Sequence, residues 1–250
     1  MSQDRQYIFV FDGSFDGFLM IIYLYYYEKK KPFSIVEEGF FQQSLESEYV
    51  FVETDFEKAN RVYQALQDIH LDAAENLYVA SLHQDESKYM AMFFYAVLIF
   101  EKKQMVDHYM QIDYVITVQK LAKAVAMEAH LFTGFCRFAE TKDQVYYAPI
   151  KPKNNVLPLL AEHFIDRLHT QRFIIHDLNR GLAVLYNTKQ WILSAVPNIV
   201  HLQFSEKELE YQALWKQSVQ SISVENRISK KRQGTVLPKR FRGYMTEFFL

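Results

Sequence analysis

Two short stretches of this 250-residue chain hold side chains that can do covalent or metal chemistry. In "MEAHLFTGFCRF" (Met127–Phe138) the single cysteine, Cys136, follows His130 by six residues, with Glu128 close by. A thiolate beside an imidazole base is the arrangement of a nucleophilic cysteine. In "IHD" (Ile175–Asp177) His176 stands beside Asp177, a pair that can hold a divalent metal. Spacing argues against both. On a helical wheel Val118, Leu121, Ala122, Val125, Ala129 and Phe132 form one apolar stripe, and His130 falls off it on the side of Lys123. Gly134 is then the expected helix end. Cys136 is expected on the apolar side of a following strand with Phe138, and Arg137 on the opposite side, facing solvent or ligand. A buried strand position offers a thiol neither access nor a positive field, so Cys136 reads as packing and Arg137 as the better functional residue. His176 and Asp177 precede a turn rather than lying on a helix with further ligands at helical spacing, so Asp177 is expected to bond the turn backbone.

Of the remaining polar stretches, one suits an anion. "YYAPIKPKNNVLPLL" (Tyr146–Leu160) is a polar loop before a helix. There Asn155 is either the helix cap or, with Lys151 and Lys153, part of a phosphate-binding helix start. "DGSFDG" (Asp12–Gly17) is a strand-to-helix turn, but it lacks a P-loop's glycine spacing and lysine, and its Asp12 and Asp16 oppose an anion. His163 lies in the helix "LPLLAEHFIDRL" and reads as a partly exposed helix residue. Net charge is −2, so charge as a whole names no partner. Its distribution is uneven: Glu37 to Glu57 holds seven acids and no Lys or Arg, and Arg227 to Arg242 holds seven basic residues and no acid. Those seven are Arg227, Lys230, Lys231, Arg232, Lys239, Arg240 and Arg242. With Phe241 and Tyr244 interleaved, the segment suits phosphates and unpaired bases; the plainer reading is two solvated faces, basic and acidic, that attract each other.

These residues need elements to place them. Half the residues are hydrophobic, Gly and Pro are scarce, and one cysteine excludes an internal disulfide framework, a Cys-held iron–sulfur cluster and a Cys-rich zinc site. No metal set and no cofactor motif is present: no GxGxxG, no Ser/His/Asp set and no zinc-deaminase signature. No signal peptide is evident, and the longest apolar run, Phe18–Tyr27, is too short to span a bilayer. The protein is expected to be cytoplasmic, with no membrane partner.

"YIFVF" and "EYVFVET" read as strands and "SFDGFLMIIYLYYYEKK" and "DFEKANRVYQALQDI" as helices, the latter capped by Asp55. This gives a short βαβ start with a parallel pair. Further helices are expected over "AAENLYVASLHQ", "ESKYMAMFFYAVLIFEKK" and "DYVITVQKLAKAVAMEAHLF". After Gly134 the runs "FCRFAET", "VYYAPI", "RFIIHDL", "GLAVLYN" and "QWILSAV" read as short strands, with a hairpin turning at Gly181. "SEKELEYQALWKQSVQSI" reads as a helix with Ser205 and Glu208 as a capping box. The fold class is α+β: a helix-rich N-terminal half, then a mostly antiparallel sheet with flanking helices. With no convincing linker, one compact domain over 1–250 is expected, with subregions 1–133 and 134–250.

Five stretches in this order carry a resemblance: "FDGSFDGFL" (Phe11–Leu19), "EAHLFTGFCRF" (Glu128–Phe138), "YAPIKPKNNVLPLLAEHF" (Tyr147–Phe164), "FIIHDLNRGLAVLY" (Phe173–Tyr186) and "RISKKRQGTVLPKRFRGYMTEF" (Arg227–Phe248). Together they resemble a bacterial family, domain of unknown function 4130, linked to DNA metabolism and DNA repair. In that family the domain stands alone beside a radical SAM protein that carries a helix-hairpin-helix segment, or is fused ahead of a uracil-DNA glycosylase-like domain. The family usually has Val at the position of Cys136, basic residues at Leu131 and Thr133, and an aromatic at Arg242. The first difference argues against a cysteine nucleophile. The others move the expected phosphate contact from the helix end near His130 to the C-terminal basic segment.

The resemblance implies a DNA-repair accessory protein that contacts nucleic acid and works with a radical SAM partner. Arg137, Lys151, Lys153 and the seven basic residues of the C-terminal segment are the contacts expected from the sequence. Two alternatives stand beside it. One is an enzyme acting on DNA, with His130, Asn155, His163, His176, Asp177 and Arg180 in one cleft. The other is a protein–protein adaptor without direct DNA contact.

Overall fold

The computed structural model describes residues 7–41, 48–103, 106, 109–197, 203–222 and 237–248. The fold is α+β, and the chain divides into two compact units, Met1–Val125 and Ala126–Leu250. Among the described residues no helix is long and apolar enough to cross a membrane.

The first unit is built on a three-stranded parallel sheet in the order β2-β1-β3, with β1 Tyr7–Phe11, β2 Pro32–Glu37 and β3 Glu48–Phe51. Helix α1 (Phe15–Glu28) leaves β1 through a turn with Gly13 at φ +78°, and Ser14 caps it by accepting the Gly17 N–H at 2.9 Å. Gly17 to Ile22 are buried in succession, so this helix is packed on more than one side. Helix α2 (Phe56–Ile69) is amphipathic instead, burying Ala59, Val62 and Leu66, and Asp55 caps it through the Glu57 and Lys58 N–H groups. Helices α3 (Leu71–Ser81) and α4 (Lys88–Lys102) pack in sequence order after it. Phe9, Phe11, Phe18, Leu77, Met92 and Phe93 lie in the core. Strand β2 was not expected from the sequence: a run that opens with Pro32 and ends in two glutamates carries a weak strand signal, and its pairing with β1 overrides that.

Helix α5 (Asp113–Phe135) runs across the boundary between the units. Of the stripe, Val118, Ala122, Val125, Ala129 and Phe132 are buried and Leu121 is partly buried, while His130 is exposed. The helix passes Gly134 and ends at Phe135, so Gly134 is not the cap. Cys136 is not on a strand either: its N–H donates to the Phe132 carbonyl at 2.9 Å, continuing the helical bonding. Arg137 supplies the cap, because its Nη1 donates to the Gly134 carbonyl at 2.9 Å.

The second unit is a five-stranded sheet, β4-β5-β6-β7-β8, comprising β4 Ala139–Glu140, β5 Tyr146–Ile150, β6 Phe173–Asp177, β7 Leu182–Tyr186 and β8 Trp191–Ala195. Only β5 and β6 are parallel, joined by helix α6 (Leu157–Arg167); the other pairs are antiparallel. The β6–β7 hairpin turns at Gly181 with φ +61°. Helix α7 (Glu206–Ile222) starts at Ser205, whose Oγ accepts the Glu208 N–H at 3.1 Å. The reciprocal half of the expected capping box is absent, since the Ser205 N–H goes to the Glu140 carbonyl. A 3-10 turn over Lys239–Tyr244 follows.

In the first unit Asp12 fastens the end of β1. Its Oδ1 accepts from the Ser14 N–H (2.9 Å) and hydroxyl (2.6 Å), and its Oδ2 accepts from Thr54 Oγ1 (2.9 Å). Burial alone would raise this carboxyl, but the bonds from Ser14 and Thr54 outweigh it and hold the pKa below the usual value. A lowered folded-state pKa gives stability that is complete above the unfolded value, about pH 4, and is lost as pH falls through the lowered one. Asp12→Asn should therefore lower the melting temperature at pH 7, and the gap to the parent should narrow as pH falls below about 4. Thermal melts of both proteins across that range check this; an equal gap at every pH would contradict it.

Candidate functional site

The second unit contains a groove of about 790 Å³. One wall is β4–β5, which contributes Glu140, Tyr146, Tyr147 and Pro149. A second is one face of α7, where Glu208, Tyr211, Gln212, Trp215 and Lys216 recur at helical spacing. Phe138, Phe204 and Tyr244 add rings, and Arg137 adds a cation. Apolar surface dominates, and the formal charges of Arg137 and Lys216 balance those of Glu140 and Glu208.

The two walls are tied by a polar chain. The Glu140 N–H donates to Glu208 Oε2 (3.1 Å), the Ser205 hydroxyl donates to Glu140 Oε2 (2.9 Å), and Gln212 Nε2 donates to Glu208 Oε1 (2.7 Å). A bridge between Thr141 and Phe204 continues the join. Tyr146 lies opposite Glu140 in the β4–β5 ladder. Burial, then the charges of Glu140 and Glu208, raise its phenol pKa. Burial and Tyr244 push the Tyr147 phenol up to about 12. Both are neutral phenols at physiological pH.

Glu128, which does not line the groove, is 4 % exposed. Its carboxylate accepts from the Lys153 N–H (3.0 Å), the Asn154 N–H (2.9 Å) and the Asn154 side-chain amide (2.8 Å), and it pairs with Arg240 at 3.3 Å. The carbonyls of the same loop are held from the other side. Asn179 Nδ2 donates to the Pro152 carbonyl at 2.8 Å, and Arg180 donates to the carbonyls of Pro152 and Lys153. Fully buried Asp177 orients Arg180 through a 2.8 Å ion pair and accepts the Asn179 N–H, as expected of a turn aspartate. His176 Nε2 donates to the Val196 carbonyl (2.8 Å), so Nδ1 accepts the Tyr147 hydroxyl (2.9 Å). His176 and Asp177 thus face different partners. Among the described residues no group of three His, Cys, Asp or Glu side chains is placed to hold a metal.

Arg137 lines the groove, and Lys151 Nζ lies 5.7 Å from the Tyr244 ring centre, beside it. Lys153 and Lys239 are exposed. Arg242 turns back onto the Leu237 carbonyl through Nε and Nη2. Asn155 does not cap α6; Val156 occupies that position, without a side-chain bond. His163 stacks edge-on with Phe164 on α6. Phe241, expected to stack on bases, is 5 % exposed and packed between Phe132 and Phe135, so it is core. Arg227, Lys230, Lys231 and Arg232 lie outside the described residues. Although Cys136 is partly exposed as a residue, burial pushes its thiol up to about 12, which leaves negligible thiolate at neutral pH. Tyr146, Tyr211 and Trp215 were missed. Their signal was the i, i+4 pair Tyr211–Trp215, flanked by charges on a helix that otherwise reads as amphipathic surface.

The chain belongs to the DUF4130 family, a domain of unknown function, whose model matches residues 84–247. That span holds four of the five stretches that carry the resemblance, short of one terminal residue, and excludes "FDGSFDGFL". No curated protein matches the chain, and no solved structure does.

Glu128 generates a contrast between two variants. Glu128→Ala strands three donors in a buried site and should cost about 2–4 kcal/mol of stability. Arg240→Ala removes only a half-exposed partner and should cost less than about 1 kcal/mol. Urea unfolding of both checks the ranking, and equal losses would contradict it.

Proposed function

We propose that this DUF4130 protein is a nucleic-acid-contacting accessory in DNA repair or metabolism that takes unpaired bases into the groove between β4–β5 and α7. The observation that carries this reading is the groove's ring surface. Tyr146, Tyr211, Trp215 and Tyr244 border one concave space, with Arg137, Lys216 and Lys151 at hand for phosphates. Stacking on such rings tolerates any base, because every base has a π face. The groove's own charges cancel, so stacking supplies its share of affinity, and the phosphate term falls to exposed Lys151, Lys153 and Lys239 and to the basic segment from Arg227. A radical SAM partner and the DNA context rest on the family resemblance alone.

A protein–protein adaptor is the second reading. What favours it is exposed apolar surface on the second unit: Trp191, Ile192 and Leu193 in succession on edge strand β8, and Leu209 and Leu214 on α7.

Fluorescence anisotropy with a labelled single-stranded oligonucleotide separates the two readings. Trp215→Ala and Tyr244→Ala should each weaken binding by about 1–3 kcal/mol without loss of fold. The log–log salt slope should be roughly −2 to −4, and replacing Lys230, Lys231 and Arg232 with Ala should flatten it. Absence of binding at low salt, or variants that bind like the parent, would overturn the proposal and leave the adaptor reading in front.

A further inference from the structure

The groove holds more than rings. Glu140 and Glu208 both line it, and their hydrogen bonds leave acceptor capacity unused. Glu140 Oε2 takes the Ser205 hydroxyl, while Oε1 takes no hydrogen bond among the described residues. Glu208 takes one bond on each oxygen, from the Glu140 N–H and from Gln212. An ionised carboxylate offers about four lone-pair sites, so both groups can accept again. Gln212 spends an amide hydrogen on Glu208, and its own carbonyl is a further acceptor on the same helix face. These acceptors sit directly beside ring surface. Glu140 is opposite Tyr146 in the ladder, and Glu208 is one turn before Tyr211 and two before Trp215. Rings and acceptors thus line the same groove.

Resting on the base-stacking reading above, we infer that the groove discriminates among bases: it accepts the donor edge of an amino-bearing base and disfavours uracil and thymine. The exocyclic amine at C4 of cytosine is a two-hydrogen donor that a carboxylate can receive. In uracil the corresponding atom is a keto oxygen, and the single N3–H lies between two such oxygens, which a carboxylate repels. Arg137 and Lys216 do not cancel this preference. Arg137 Nη1 is spent on the Gly134 and Cys136 carbonyls, and Lys216 lies about two turns beyond Glu208 on α7. Desolvation inside a groove magnifies the difference, because an acceptor facing an acceptor without water between them loses its hydrogen bond outright.

Anisotropy at pH 7.5 with labelled oligonucleotides of equal length, one of deoxycytidine and one of deoxyuridine, isolates the base edge, since neither carries a 5-methyl group. The deoxycytidine strand should bind about tenfold more tightly, the scale of one good base-edge contact. Glu140→Gln and Glu208→Gln keep shape and replace an acceptor with a donor. Each should shrink the ratio toward one, chiefly by improving deoxyuridine binding, with thermal melts confirming the fold. Glu140→Gln leaves the Ser205 contact available through the amide carbonyl and is the safer variant. Equal binding of the two strands by the parent would overturn the inference and leave the stacking reading intact. A cytosine preference unchanged in both variants would overturn it as well. Absence of binding to either strand would remove the stacking reading and this inference with it.

Discussion

A carboxylate that folding removes from water must be met by donors, and in the second unit that demand falls on Glu128. Its donors come from two distant parts of the sequence, the Lys153–Asn154 loop and Arg240. One buried acid therefore fixes three things together: the end of α5, the loop before α6 and the 3-10 turn that carries Tyr244. The demand is reinforced from the opposite side of the loop. Asp177 holds Arg180, and Arg180 with Asn179 holds the carbonyls of Pro152 and Lys153. With N–H groups bound on one side and carbonyls on the other, the loop has little conformational freedom, although it is polar. Phe241, pressed between Phe132 and Phe135, adds apolar packing to the same attachment.

This rigidity bears on the groove. Base stacking requires rings held at fixed positions, and a ring on a loosely attached terminal segment would lose its gain to ordering entropy. Tyr244 lies four residues beyond Arg240 and three beyond Phe241, so both anchors act close to it. Strands β4–β5 and helix α7 are held to each other by the polar chain through Glu140, Ser205, Glu208 and Gln212. The groove's two walls are thus secured together, Tyr244 is anchored separately, and the groups that join the walls carry the acceptors that would face a ligand.

Periodicity made most elements legible. The stripe on α5, the Asp55 cap and the Gly181 hairpin follow from rules of local spacing, and the α+β class follows from their order. What was not legible depends on contacts remote in sequence. Strand β2 is recruited by β1 despite its proline and terminal glutamate. The helix end was misplaced because Arg137, not a left-handed glycine, satisfies the final carbonyls. Phe241 and Tyr244 look alike in a basic segment, and only the third dimension assigns one to the core and the other to a groove. The conspicuous candidates, His176 and Asp177, turned out to hold neighbouring backbone and side chains in place, while the groove is lined by tyrosines and a tryptophan that composition alone does not single out.

The most direct test of the central claim uses Trp215 as its own reporter. Trp191 and Trp215 are the two tryptophans, and Trp191 lies on β8, outside the groove. In a Trp191→Phe protein, titration with unlabelled single-stranded DNA should quench the emission of Trp215 to saturation, as expected for a base stacking on its ring, and duplex DNA of the same length should quench it far less. Emission that stays unchanged while the same single strand is bound, by anisotropy, would place nucleic acid elsewhere on the protein and contradict the account.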